Sequence, residues 1–390
     1  MTEKLYYIDS HIKKFTARVI SCRQVKDSFE VILDRTAFFP EGGGQSADTG
    51  KIGPAQVIDA REKDGDVIHY VNQSLPAGEE FECEIDWMQR FRRMQNHSGE
   101  HIVSGLVHKK YGYNNVGFHM GKDMVTIDFD GDISWEQLRE IEGEANLAVA
   151  RNLRINTSFP EEEMLKKLEY RSKLELTENV RIVEIEDIDV CACCAPHVYS
   201  TAEVGIVKLL ASERRRRGGE GVRVSMLCGL DAYEYLSVIQ ENNSAVSALV
   251  SAPREETAKA VERLLKDNEK LRARASELGR EVAKIRADAI PETEGNICVF
   301  DNVLDEPALR EIVNSAMEKC TGIAAVFSGD DESGYRYIMG SRSVDLRADA
   351  KAINAAICGR GGGRPEMIQG SCSEKAEKIK EFLNKFEIYT

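Results

Sequence analysis

The sequence predicts an α+β protein of several domains, and three observations predict it. The first stretch is β-branched and alternating, and near Trp87 it gives way to mixed helix and strand periodicity. Residues 231–290 read as helix with one break at Pro253, and the remainder alternates short strands with helices. At 390 residues the chain is long enough for two or three compact units. The texture changes place the boundaries at 1–86, 87–230, 231–292 and 293–390.

FTARVISC, SFEVILDRT, AQVIDARE and DVIHYV are strand runs, with Asp64-Gly65 where a hairpin turn belongs. FFPEGGGQSADTG (38–50) is too rich in glycine for an element and reads as a loop. From Met94 to Lys110, Ile102, Val103, Leu106 and Val107 recur at helical spacing. MVTIDFD alternates as a strand, and Ser134-Trp135-Glu136-Gln137 opens a helix as a capping box, reaching about Arg151. RIVEIEDIDV is a strand that runs into the cluster CACCAPH.

Beyond Pro253 the residues Val261, Leu264, Asn268, Leu271, Ala275, Leu278, Val282 and Ile285 step by three and four. This is a heptad seam, open to a second copy (a homodimer) or to a neighbouring helix. NICVFD, GIAAVFS and YRYIMG are strands among helices at 306–319, 347–358 and 373–386, and GRGGGRPEMIQGS (359–371) reads as a loop.

Hydrophobic residues make up 42% and charged residues 30% of the chain, as in a foldable globular protein. Acidic side chains outnumber basic ones by 66 to 52, for a net charge of -14. A polyanion partner would have to be met by local basic patches. No signal-like stretch and no window of ~20 apolar residues is present, so a cytoplasmic protein with no membrane partner is expected.

Three of the ten cysteines, Cys191, Cys193 and Cys194, crowd beside His197, and in a reducing compartment such a cluster suggests metal before disulfide. His97 and His101 are four residues apart, which on a helix stacks both imidazoles on one face. Cys193 and His197 present C-x-x-x-H at a strand end. Together they form a set of one sulfur and three nitrogens suited to a single Zn²⁺. By spacing alone Cys194 or Cys191 could replace Cys193. HSGEH also matches H-x-x-E-H, the inverted zincin signature, with Glu100 as general base of a metalloprotease. That scheme needs a distant glutamate as ligand and has no use for the cysteines.

HSGEH, CCAPH and the upstream PEGGGQ together resemble the AlaX proteins of the long form and the editing domain of alanyl-tRNA synthetase. The resemblance runs along the whole chain. It implies a small N-terminal β-barrel carrying Glu41-Gly42-Gly43-Gly44-Gln45, and a zinc-containing second additional domain over 87–230. It further implies a helical or coiled-coil linker and a C-terminal α/β DHH-associated domain. The class II aminoacylation core has no room in these residues, so the likeness is to a free-standing editor.

The family's ligand positions fall on His97, His101, Cys193 and His197. Its activity is hydrolysis of the ester joining a wrong amino acid, chiefly serine and in part glycine, to alanine tRNA. The sequence departs from the synthetase where Ala195-Pro196 replace Gly-Thr, and where Phe118 and His119 stand in place of a polar side chain.

Glu100, His119 and Gln45 are the candidate catalytic residues, and Gly42, Gly43 and Gly44 could approach the terminal adenosine or the ester. The basic candidates for tRNA are Arg90, Arg92 and Arg93, the run Arg214, Arg215, Arg216 and Arg217, and Arg360 with Arg364. A zinc-stapled tRNA-binding module without catalysis is the non-enzymatic alternative.

Overall fold

The computed structural model describes residues 1–121, 123–172, 180–215 and 220–386. The chain falls into two compact units, Met1–Asn242 and Asn243–Thr390. Both are mixed α and β.

In the first unit six antiparallel strands close on themselves. Their order is Lys14–Val25, Ser28–Leu33, Asp66–Val71, Ala55–Lys63, Gly50–Ile52 and Glu80–Ile85. Alternation turns Ala17, Val19, Val31, Leu33, Val57 and Val71 inward, where they fill the interior with Phe38 and Ile52. Asp64 and Gly65 both take positive φ and form the hairpin turn that their sequence predicts.

One inward position is polar. His69 is fully buried; its Nδ1 lies 3.1 Å from the Val31 carbonyl and its Nε2 2.8 Å from the Thr36 hydroxyl. Thr36 Oγ1 also accepts the Phe38 N–H at 3.1 Å. The hydroxyl proton therefore goes to Nε2, and the ring is neutral with its proton on Nδ1.

The helix Trp87–Tyr111 starts well before the apolar spacing suggests, because Asp86 caps it by accepting the Gln89 N–H at 3.2 Å. Gly112, left-handed, ends it. The helix packs against Trp135–Arg151 and against a four-stranded sheet. That sheet runs in the order Val207–Arg214, Val222–Cys228, Val125–Phe129, Asn115–Met120. A second sheet joins Ile155–Ser158, Ile182–Ile185 and Asp189–Ala192. The single strand expected for RIVEIEDIDV is thus two, folded back around Asp187 at φ 59.

The second unit carries a five-stranded sheet in the order Ile297–Phe300, Ile323–Asp330, Gly334–Ser341, Met367–Cys372, Gly359–Arg364. Helices Glu306–Ala316, Leu346–Ala356 and Ala376–Lys385 cover it. The glycine-rich stretch at 359–371 is not a loop. It is an edge hairpin paired from Gly359↔Cys372 to Arg364↔Met367, since a backbone ladder asks for amides and carbonyls rather than side chains.

The helix Thr257–Asp288 carries the predicted heptad; near its end Ala283 and Ala287 are buried, Ala283 against Glu306–Ala316, while the heptad positions themselves stay open. Val261, Leu264, Leu271, Leu278, Val282 and Ile285 are 37–69% exposed. Among the described residues no helix is long and apolar enough to cross a membrane.

Burial lowers the His69 pKa from 6.5 to about 4, so the unfolded chain holds more protons than the folded one between those values. The stability that the neutral ring contributes is complete above pH 6.5 and falls as the pH drops towards 4, by up to ~3 kcal/mol. Both tryptophans, Trp87 and Trp135, lie in the first unit, so their fluorescence in urea follows its unfolding. The fall in midpoint between pH 6.5 and 4.5 is expected to shrink in His69→Gln, and an unchanged slope would refute the assignment.

Candidate metal centre

His97 and His101 sit one turn apart on Trp87–Tyr111, and Cys193 and His197 on the turn after Asp189–Ala192. The four donor atoms lie within 4.8 Å of one another. Cys193 Sγ is 3.6 Å from His97 Nε2 and 3.5 Å from His197 Nε2. A tetrahedral zinc with Zn–N near 2.0–2.1 Å and Zn–S near 2.3 Å separates nitrogen from sulfur by about 3.5–3.6 Å, so the spacing fits the ion. Cys194 is exposed and outside this set, while Cys191 groups with His101 and Asp189.

The far side of each ring is engaged. His97 Nδ1 is 3.0 Å from Gln45 Oε1, His101 Nδ1 is 2.9 Å from Asp189 Oδ2, and His197 Nδ1 is 3.0 Å from Ser98 Oγ. Partners on Nδ1 leave Nε2 as the donor in all three, which is how metal-binding imidazoles are usually oriented. Asp189 is held in turn by Arg171, at 2.7 and 2.8 Å. Ser10 donates to the His197 carbonyl at 2.7 Å and steadies that ligand from behind.

Electrostatics favour a thiolate here. Burial pushes the Cys193 thiol up, but the His97 charge and hydrogen bonds from His101 and His197 outweigh it and bring it well below its ordinary value. Burial also raises Asp189, yet its bonds from His101 and Arg171 leave it below the usual carboxylate range.

Two local features bring these groups together. Gly105 lets the helix lie against the Ile188–Asp189 turn, where a Cβ would stand 2.6 Å from the Ile188 carbonyl. Gly43 and Gly44, at φ 60 and 85, form a two-residue turn closed by paired bonds of 3.0 Å between Gly42 and Gln45. The loop anticipated at 41–45 is thus a tight turn, and it directs buried Gln45 at His97.

A cavity of about 420 Å³ opens beside the four donors. His97, His101 and Cys193 line it together with Tyr7, Gly43, Glu100, Phe118 and Arg181. Glu100 is 3% exposed, so it is no solvent-facing helix residue. Its Oε1 accepts from Ser104 and from Asn115, each at 2.5 Å. Glutamate is not among the four donors and a thiolate is, which departs from the inverted zincin scheme.

Other candidates fall elsewhere. His119 is exposed, because the strand's two-residue period turns its neighbour Phe118 inward, 4.7 Å from the His97 ring, and His119 outward. Arg90 is fully buried and cannot reach a tRNA phosphate: it bonds Asp48 and the Ser10 and Ala37 carbonyls, at 3.0 and 2.6 Å for the last two. Arg92 pairs with Asp231 at 2.6 Å and with Glu234, and Arg93 donates to the Ala47 carbonyl at 2.6 Å. Arg214 is exposed, and Arg215 lies beside it with its backbone N–H on the Gly221 carbonyl. Arg216 and Arg217 lie outside the described residues. Arg360 and Arg364 are exposed on the edge strand of the second unit.

Sequence reasoning missed Asp189, Ser98, Arg171 and Arg181. Asp189 carried a signal, since it precedes Cys191 by two residues on a strand and so shares its face.

Comparisons with known proteins agree with this architecture. Residues 180–223 match the model of the threonyl and alanyl tRNA synthetase second additional domain, and residues 294–389 match the DHHA1 domain. Residues 3–89, the barrel segment, match the model of class II (A) tRNA synthetases. Two of the three models are named for tRNA synthetases, one of them for the threonyl and alanyl enzymes. More particularly, the chain is a relative of the long AlaX proteins along its whole length. It is 28% identical to the alanyl-tRNA editing protein AlaX-L of Pyrococcus horikoshii, over 97% of this chain and 96% of that one.

The alanine–tRNA ligase of Pyrococcus abyssi is 30% identical over 98% of the chain, and that of Ignicoccus hospitalis 26% over 98%. The chain spans only 43% and 42% of those two ligases. The C-Ala domain of Aquifex aeolicus alanyl-tRNA synthetase aligns with 24% of this chain and 98% of its own at 17% identity. The TM-score of that alignment is 0.21.

Gln45→Leu removes the acceptor on His97 Nδ1 while leaving all four donors. Zinc affinity, measured by chelator competition, is expected to fall about 10–100-fold. An unchanged affinity would mean that this bond does not orient the ring.

Proposed function

We propose that the protein is a zinc-dependent aminoacyl-tRNA deacylase that edits alanine tRNA in trans, removing serine and, less efficiently, glycine. The observation that carries the reading is the convergence of His97, His101, Cys193 and His197 beside a cavity that the first three line, each imidazole oriented from behind. The relatives' names support alanine tRNA as the partner.

The chemistry suits the task. Alanine and serine differ by one hydroxyl, and an apolar synthetic pocket rejects such an isostere by only about 10²-fold. A second site that hydrolyses the ester supplies the missing discrimination. Water adds to the carbonyl carbon, the bond to the ribose oxygen breaks, and the products are the free amino acid and the tRNA hydroxyl. Zinc held by these four residues would supply a fixed positive charge beside the ester. Four protein donors make a closed set, which favours an organising role for the ion.

The chain's own groups do the rest. Glu100, steadied by Ser104 and Asn115, holds or takes a proton at the cavity wall. Gln45 keeps the His97 ring in place, and the turn Gly42–Gln45 brings backbone close to the bound end of the tRNA. Phe118 presents an apolar wall. Exposed Arg214, Arg360 and Arg364 are the proposed phosphate contacts on an acidic surface. We further assign the bare heptad of Thr257–Asp288 to a second copy, which predicts a sedimentation mass twice 43.6 kDa. A monomer at micromolar concentration would contradict the pairing.

Purified protein is expected to deacylate seryl-alanine tRNA well above buffer and to spare alanyl-alanine tRNA. Cys193→Ala should lose zinc and activity together, whereas Glu100→Gln should keep zinc and lose about 10²–10⁴-fold in rate. No turnover of the seryl ester would end the assignment.

A further inference from the structure

Among the described residues, three arginines sit deep in the first unit, and two of them hold a carboxylate. Arg90 grips Asp48, and Arg171 grips Asp189. Arg181 is 5% exposed and forms no ion pair among the described residues. Its Nη1 donates to the carbonyls of Cys193 and Ala195, at 3.0 and 2.8 Å, and its guanidinium lies 5.4 Å from the centre of the Tyr7 ring. Its Nε is buried with no acceptor among the described residues. The opposite charge that acts on it most strongly is the Cys193 thiolate, which the three imidazoles already engage.

A buried cation without a counter-ion is costly, and an unsatisfied buried donor calls for a missing partner. Arg181 lines the cavity beside the metal donors, so a ligand entering there can provide both. Glycine or alanine carbonyls would satisfy the donor but not the charge. Only an anion does both.

The geometry points to Arg181 as the anion-binding residue of this cavity, recognising the oxygens of a phosphate ester or a carboxylate. The inference deepens the editing reading and rests on it for the choice of ligand. The phosphate would be the one linking the last nucleotide of the tRNA, and the carboxylate that of the released amino acid. The planar fork of arginine suits either group, whereas a lysine would offer only a point charge.

Calorimetric titration of the zinc-loaded, full-length protein tests this with two matched pairs of probes. AMP against adenosine isolates the phosphate, and serine against serinamide isolates the carboxylate. The wild type is expected to bind the member that carries the anionic group, AMP or serine, about tenfold more tightly than its partner, and the pair that responds names the source. Arg181→Gln should abolish that preference at unchanged zinc content.

Equal binding within both pairs, no binding by any probe, or a preference that survives Arg181→Gln would overturn the proposal. If Arg181→Gln does not fold, Arg181→Lys decides: a preference reduced about threefold or more supports it, and an unchanged one overturns it. Anion preference without deacylation would count against the editing reading alone, and deacylation without anion preference against this inference alone.

Discussion

The structure depends on bringing three imidazoles and one thiolate to a common point from two segments that are distant in sequence. Burying such a group is unfavourable unless every polar atom has a partner. The fold meets that requirement on the outer side of each ring, with Gln45 from the barrel turn, Asp189 from the following sheet and Ser98 from the same helix. The inner side is left for the thiolate and an ion. Barrel, helix and sheet therefore meet at one cluster, and a shift in any of them would misalign a ligand.

The same economy explains why much of the positive charge near the helix is structural. Arg90 ties the helix to the barrel through Asp48, and Arg171 anchors the carboxylate that orients His101. Each is charge-matched and inaccessible or nearly so. Arg181 follows the same burial without a carboxylate partner among the described residues, and it does so at the cavity wall. A rule kept twice and broken once, beside the candidate metal donors, is the observation on which the proposed anion site rests.

Much of the donor set was legible because its spacing is local. An i,i+4 pair shares a helix face, and the cysteine cluster lies within six residues of His197, so two short motifs narrow the search, while Cys193 rather than Cys191 or Cys194 followed from the family resemblance and from the distances. Arg90 misled for the opposite reason. An arginine in a basic cluster reads as exposed, and only the long-range approach of Asp48, more than forty residues away, reveals its burial.

His119 and Phe118 show how one residue of strand register exchanges inside for outside, a parity that composition does not carry. The stretch at 359–371 reads as a loop by its glycines, yet it pairs with the strand Gly334–Ser341 through backbone bonds, and Ile368 is buried in the core. Asp189 and Ser98 stayed hidden because a residue that acts through a histidine has no motif of its own.

The most direct measurement is the zinc-edge X-ray absorption spectrum of the protein as purified. One equivalent of zinc is expected, with one sulfur near 2.3 Å and three nitrogens near 2.0–2.1 Å, the distances such bonds take. A protein without zinc that cannot be loaded with it, or a first shell of oxygens without sulfur, would contradict the assignment.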